Sequence, residues 1–364
     1  MPRYTPIGVD VGSSSVKLAQ LVAVDDEWAP SALVQEPWQN GDGDQLQLGE
    51  TLVDAVRKAV GRGRFRNRRA VAIAPTCLAD VRPTSVPVAE GIDLMTYVQS
   101  ELAERHGERA HEFVVDFWIA GDRLEHGETK LELYTVAMPR QSVVDLVGAV
   151  EKAGLVVTRV DIAATAVATA LSYAHGGGDE PLPVNVDIGD RRSLLFAASA
   201  EGISFCRVIK WGGRQVTDQI RQALHADFEG AEQIKKEWGL RPIGGASNAT
   251  GKTLHSRQQI INDSIEQSLR GLALEIGRSL AYHARGQTGN DIQSVGLMGG
   301  GARLKGLPEY IKDALRLGVT APAVLRKPDR WPTASRELAD AEPPDLYGAA
   351  IGAALSGVNV PCRR

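Results

Sequence analysis

Apolar and polar positions alternate in the same way at two places. Residues 7–21 (IGVDVGSSSVKLAQL) and 184–198 (VNVDIGDRRSLLFAA) each run from an apolar, β-branched stretch into Asp-x-Gly, a polar turn and a second apolar stretch. Period-two runs joined by so short a polar turn predict two β-hairpins, each presenting an aspartate beside exposed backbone N–H groups. Asp10 and Asp187 stand at matching places and are expected to face each other across a cleft between two similar lobes. A third pattern closes the set. Residues 295–315 (VGLMGGGARLKGLPEYIKDAL) read as a short strand, then Gly299, Gly300 and Gly301, then an amphipathic helix with Leu307, Tyr310, Ile311 and Leu315 on one face.

The pattern elsewhere predicts alternating helices and strands. Helices are expected at 52–60, 95–106 and 142–154, and strands at 69–75, FVVDFWIA and KLELYTVAM. A longer helix is expected over 263–285, where apolar residues recur every three or four positions. Residues 175–183 (HGGGDEPLP) and 337–345 (ELADAEPPD) read as loops, and 347–358 as a small-residue helix. At 364 residues the chain exceeds one ordinary core, so two domains are expected.

Composition narrows the class. Hydrophobic residues make up 43% and charged residues 24%, which is the range of a soluble globular protein. A net charge of −4 argues against a nucleic-acid-binding role for the whole protein. Cys77, Cys206 and Cys362 are scattered without metal spacing, as in a reducing cytosol. Asp10 interrupts any signal-peptide core, and no stretch of about 18 apolar residues is present.

The chemistry the residues suggest is binding of magnesium and phosphate. Backbone N–H groups of glycine-rich turns hold phosphate oxygens, and carboxylates hold metal-bound waters. Three glycines at 299–301 let backbone approach a planar ligand, although the same cluster suits an ordinary strand-to-helix turn. Gly212 and Gly213 open a helix whose N-terminus is expected to point at phosphate. Glu232 and Lys235 share a helical face at i and i+3. Two further features read as surface. Ala246, Gly251, Lys252 and Thr253 satisfy a relaxed P-loop, but no strand precedes them and the apolar helix is expected to begin only after about Arg257. Arg62, Arg64, Arg66, Arg68 and Arg69 form a basic run that reads as a solvated loop or as a contact for anionic lipid or nucleic acid.

The order of D-x-G hairpin, second D-x-G hairpin and GGG turn resembles the actin-like ATPase superfamily of actin, DnaK-type chaperones, sugar kinases and FtsA. Within it the chain is similar to the PilM family of type IV pilus assembly over nearly its whole length, most specifically in GGRQVT…AEQIK. The resemblance implies a two-lobed α/β fold of duplicated ribonuclease-H-like domains. Lobe one would span 1–180, with an inserted SHS2-like subdomain at about 50–155 and a returning helix at 345–364. Lobe two would span 181–344, with a helical insertion at about 222–290.

The resemblance implies ATP and Mg2+ as cofactors. Gly12, Ser13, Ser14, Ser15 and Lys17 would meet phosphate, with Asp187, Gly189 and Asp190 opposite. Glu232 and Lys235 would lie at the ribose and adenine, and Arg303 on the adenine ring. Lys17 also suits a lysine at the end of a surface strand, and Thr217 a helix-packing hydroxyl. Asp10 and Asp187 would hold magnesium through water, with Asp187 as the catalytic candidate. Asp161, Thr165 and Thr169 precede the second hairpin without a glutamine to orient water, so slow turnover or binding alone is expected. The family departs from this chain at Arg191 and Arg192, where small residues usually stand.

The partner implied is a PilN-like inner-membrane protein, its short cytoplasmic tail gripped by the inserted lobe; the location implied is cytoplasmic, at the inner face of the inner membrane. Self-association stays open. A nucleotide-free interaction module is the alternative, with a small-molecule kinase behind it. An FtsA-like divisome role lacks the terminal amphipathic membrane helix it would need.

Overall fold

The computed structural model describes residues 3–25, 27–38, 46–88, 93–125, 127–176, 183–199, 202–241, 252–286, 292–326 and 330–358. Strand β1 (Ile7–Val11) turns into β2 (Ser15–Val24), which pairs antiparallel with β3 (Glu27–Pro37). Helix α1 (Glu50–Arg62) leads to β4 (Arg69–Ala74), which lies parallel to β1. An excursion follows: β5 (Asp80–Pro87), α2 (Leu94–His106), β6 (Phe113–Glu125) and β7 (Glu128–Pro139). The chain returns through α3 (Arg140–Lys152), β8 (Val156–Ile162) and α4 (Ala163–His175). The first sheet has the order β3-β2-β1-β4-β8.

The excursion is narrower than 50–155. Leu52 and Val56 of α1, Ala70 and Ala72 of β4, and Leu146 and Val150 of α3 share one buried cluster with Ile7, Val9 and Leu18 of the first hairpin. These elements therefore belong to the first sheet's own layer. Only 80–139 stand apart, as an antiparallel sheet of order β5-β7-β6 with a small core of Val86, Val98 and Leu133. The expected border failed because a parallel strand with flanking helices reads alike in either layer.

The second half repeats the plan. Strands β9 (Val184–Ile188), β10 (Ser193–Ser199) and β11 (Gly202–Ile209) precede α5 (Gly213–Leu224), α6 (Phe228–Trp238) and α7 (Lys252–Gly286). Then come β12 (Ser294–Met298), α8 (Leu307–Leu315) and β13 (Gly318–Thr320), giving a sheet of order β11-β10-β9-β12-β13. Helix α7 is 35 residues long and buries Ile261, Ile265, Leu269, Leu272, Ile276 and Leu280, a stripe at three-to-four spacing. It begins at Lys252 rather than after Arg257.

Helices α9 (Thr333–Ala341) and α10 (Gly348–Ser356) complete the chain. The expected loop at 337–345 is thus partly helical. Compact grouping assigns Met1–Leu182, Phe196–Val208 and Ala323–Arg364 to one unit, and Pro183–Leu195 with Ile209–Pro322 to the other. The return to the first unit therefore starts near 323, not 345. Small residues explain how α10 docks there. A Cβ on Gly8 of β1 would lie 1.8 Å from the Ala350 carbonyl oxygen, and one on Gly352 would lie 1.7 Å from that of Ala166 in α4. Only glycine lets these backbones approach so closely.

Candidate nucleotide site

In the first unit, Gly12 donates its N–H to the Ser15 carbonyl at 3.0 Å, closing a two-residue turn of Ser13 and Ser14. A Cβ on Gly12 would stand 3.0 Å from that oxygen, a tight contact. The turn is braced from behind by Trp38. Its indole Nε1–H donates to the Gly12 carbonyl at 2.9 Å and its amide to the Ser14 carbonyl at 3.2 Å. Ser15 is buried, and its hydroxyl accepts from Gln35 Nε2 at 3.0 Å. Asp10 lies opposite Lys17 in the β1–β2 register, with the ammonium 3.9 Å from Oδ2. Burial pushes the Asp10 carboxyl above its ordinary pKa, against the opposing charge of Lys17.

The second unit builds the same turn. Gly189 donates to the Arg192 carbonyl at 3.1 Å, and a Cβ there would come within 2.6 Å of that oxygen. Here the brace is the start of α5. Gly213 N–H donates to the Gly189 carbonyl at 2.9 Å, and Arg214 N–H to the Asp190 carbonyl at 2.8 Å. This corrects the expectation for Gly212 and Gly213: the leading amides of α5 hold the turn and are not presented to phosphate. Gly212 is needed because a Cβ would sit 2.3 Å from the Asp190 carbonyl oxygen.

The GGG turn is laid against Asp187. Strand β12 runs parallel to β9 with Met298 beside Asp187, and Gly299 then adopts φ +82°. A Cβ on Gly299 would fall 2.1 Å from Asp187 Oδ1, and one on Gly301 2.3 Å from Ile188 Cγ2. Two of the three glycines therefore serve packing. Gly300 alone has open space where a side chain would be, so it is the one a planar ligand could cover. Arg303 closes the same short 3₁₀ turn.

Glu232 and Lys235 come together as expected, with Lys235 Nζ 2.6 Å from Glu232 Oε2. Thr217, wholly buried, donates to the same carboxylate oxygen at 2.6 Å. Lys235 also donates to the Thr217 hydroxyl at 2.9 Å and to the Gly213 carbonyl at 3.2 Å, so its three N–H groups all have acceptors within α5 and α6. Burial raises the Glu232 pKa, but the charge and hydrogen bond of Lys235 and the Thr217 hydroxyl outweigh it and hold the group below its ordinary value. Asp190 is pushed up by burial against Arg214, whose Nε is 3.7 Å away and whose guanidinium lies 4.5 Å from the Phe228 ring centroid.

Asp161 is committed to helix structure. It accepts from Ile162 N–H at 2.8 Å, pairs with Arg159 at 3.0 Å and accepts from Thr165, while Thr169 bonds the Thr165 carbonyl. Among the described residues no group of three His, Cys, Asp or Glu could cage a metal directly. Burial raises the Cys206 thiol pKa to about 12, leaving it a packing group. In the P-loop-like segment, Ala246 and Gly251 fall outside the described residues. The sequence reading missed Trp38, Gln35 and Arg214. Only Arg214, second in a helix behind two glycines, carried a positional signal.

Duplicated hairpins on two similarly ordered sheets, with a GGG turn against the second, define an actin-like ATPase fold. The family model described as type IV pilus assembly protein PilM matches residues 8–249, and that of cell division protein FtsA matches residues 184–339. The solved "PilM-PilN type IV pilus biogenesis complex" superposes with a TM-score of 0.75 at 24% identity, covering 98% of this chain and 99% of that one. The ethanolamine utilization protein EutJ from Carboxydothermus hydrogenoformans gives 0.56 at 17% identity, over 98% of this chain and 90% of that one. The chain belongs to the PilM family of type IV pilus assembly proteins.

Proposed function

We propose that this protein is a cytoplasmic, ATP-binding scaffold of type IV pilus assembly that grips the cytoplasmic tail of a PilN-like membrane partner. The observation that carries the nucleotide half is the repeated turn: an aspartate two residues before a glycine whose N–H closes the same two-residue hairpin, at 3.0 Å and 3.1 Å. Each turn by itself offers a carboxylate, Asp10 in the first unit and Asp187 in the second, of the kind that holds a magnesium ion through its waters. When bound, the metal would neutralise phosphate charge; Ser13, Ser14 and Lys17 would position phosphate, and Gly300 with Arg303 would receive the base. The helix before the second hairpin carries Thr165 and Thr169 but no glutamine to orient an attacking water, which favours binding with slow or no hydrolysis.

The partner half rests on membership of the family and on the 80–139 subdomain. Strand β6 is an edge of its sheet and exposes Ile119, at 50%. An extended tail could add to such an edge. No described helix is long and apolar enough to cross a membrane.

A nucleotide-free scaffold is the second reading, favoured by α5 amides and a Lys235 already engaged by protein acceptors. Titration with Mg·ATP separates the two. The first requires saturable binding lost in Asp187→Ala, with a stabilisation of about 2.7 kcal/mol at a hundredfold excess over Kd. No binding at millimolar ATP, with capture of the tail peptide retained, selects the second. Failure to bind the tail peptide in either state overturns the scaffold reading itself.

A further inference from the structure

The basic run between α1 and β4 is a built surface. Five arginines fall within residues 62–69 of a chain whose net charge is −4. Arg62 is paired with Glu36 at 2.6 Å. Arg64, Arg66, Arg68 and Arg69 are exposed, and among the described residues no carboxylate pairs with them. Phe65 packs onto the first unit's core and Asn67 Nδ2 donates to the Thr5 carbonyl at 2.9 Å, whereas Arg64, Arg66 and Arg68 between and beside them are exposed.

The backbone is pinned as well. Gln20, fully buried, accepts from Arg66 N–H at 2.8 Å and donates to the Thr5 carbonyl at 3.0 Å, while Val156 N–H donates to the Arg68 carbonyl at 2.7 Å. A solvated loop has no need of a buried glutamine to hold it. Val156, 54% exposed and paired with Arg69 in the β4–β8 register, adds an apolar foot beside the charges. The patch is remote from the first hairpin turn. Arg69 precedes the residue paired with Ile7, whereas Asp10 pairs with Ile73, about 13 Å further along the strand.

We propose that Arg64, Arg66, Arg68 and Arg69, with Val156, form a docking surface for an anionic lipid bilayer. Exposed guanidiniums on a pinned backbone, beside one apolar side chain, suit a headgroup layer. The aromatic of this loop, Phe65, is turned inward and offers no stacking platform for a base. The inference goes beyond the scaffold reading and draws on it only for why an anionic leaflet is near. The test below contains no partner and no nucleotide, so the two can fail separately.

Purified full chain is floated with phosphatidylcholine vesicles with or without about one quarter phosphatidylglycerol, at low and high salt. Binding is expected only to the anionic vesicles and is lost at high salt, where the Debye length falls to about 3 Å. Each arginine removed should weaken binding about fivefold, so Arg64→Gln with Arg66→Gln should cost roughly 25-fold. Arg270→Gln, on the exposed face of α7, should change nothing. The salt arm uses wild type and is independent of how the variants fold. Three results overturn the proposal: no capture of anionic vesicles by wild type at low salt, equal capture by the double variant, or an equal loss in Arg270→Gln. Tighter arginine-dependent binding to a single-stranded oligonucleotide than to vesicles would reassign the surface to nucleic acid.

Discussion

The amide of Gly213 donates to the carbonyl of Gly189 at 2.9 Å, so the start of helix α5 braces the second hairpin turn. Trp38 does the same for Gly12 in the first unit, with a side-chain N–H in place of a backbone one. Two unrelated braces thus hold two like turns. Each occupies the carbonyl of the glycine that closes the hairpin, fixing where the two central residues of the turn project.

Trp38→Phe should show what the brace contributes. Phenylalanine keeps much of the packing but removes the donor to the Gly12 carbonyl. Leaving such a group without its partner costs about 1–3 kcal/mol. Urea unfolding should report a loss in that range, with Mg·ATP affinity falling further than stability alone explains. Unchanged affinity at reduced stability would mean that the turn keeps its shape without the indole.

Gly212→Ala and Gly213→Ala should behave differently although they are neighbours. A methyl at 212 meets backbone at 2.3 Å, and neither strand turn nor helix can yield without breaking the Gly213 and Arg214 bonds. Overpacking of this kind costs about 1–3 kcal/mol. At 213 the nearest atom is Lys235 Nζ at 3.6 Å, an ordinary contact, and the residue begins a helix. That variant should be neutral or stabilised by up to about 1 kcal/mol. Thermal midpoints of the pair check the contrast.

What was legible in the sequence follows from how local each cause is. The two hairpins were visible because Asp-x-Gly is a local device: the glycine answers to its own turn, as Gly189 shows. The GGG turn was visible too, but not that Gly299 and Gly301 answer to Asp187 and Ile188, more than a hundred positions away. The subdomain border was missed for the same reason. Whether β4 pairs with β1 or with β5 is decided across the sheet, and the run RAVAIA reads identically in both cases. Trp38 lies in EPWQNG with no periodicity to mark it.

Asp10→Asn should stabilise the ligand-free protein at neutral pH while removing its affinity for Mg·ATP. Burial raises the folded-state pKa of Asp10 above 3.8, against the opposing pull of Lys17. The folded state then holds its proton more tightly than the unfolded chain. The associated stability is fully present below the unfolded pKa and is lost as pH rises through the folded one. Wild type therefore carries the penalty of a buried charge at neutral pH, and asparagine removes it. The lost contact with Lys17, at 3.9 Å and partly exposed, offsets this by at most about 1 kcal/mol. The melting difference between variant and wild type should grow as pH rises from acid and then level off; a constant difference across the range would refute the assignment.

Glu232 and Lys235 should prove coupled through Thr217. Removing Lys235 with Lys235→Met leaves a carboxylate, 24% exposed at its side chain, with the Thr217 hydroxyl and the weaker, more exposed Lys236 at 3.4 Å. Removing the charge with Glu232→Gln leaves a lysine that still has two oxygen acceptors. The first variant should therefore be the more destabilised, and the double variant should lose less than the sum, with an interaction energy of about 0.5–3 kcal/mol. The sign with pH is opposite to that of Asp10. Because the Glu232 pKa is held below 4.5, its contribution is present above the unfolded value and lost as pH falls through the folded one. Urea midpoints of the four proteins at neutral and acid pH test both points. If the pair serves the ligand as well as the fold, Glu232→Gln should weaken Mg·ATP binding by more than its own stability loss requires, and the double variant should not recover it.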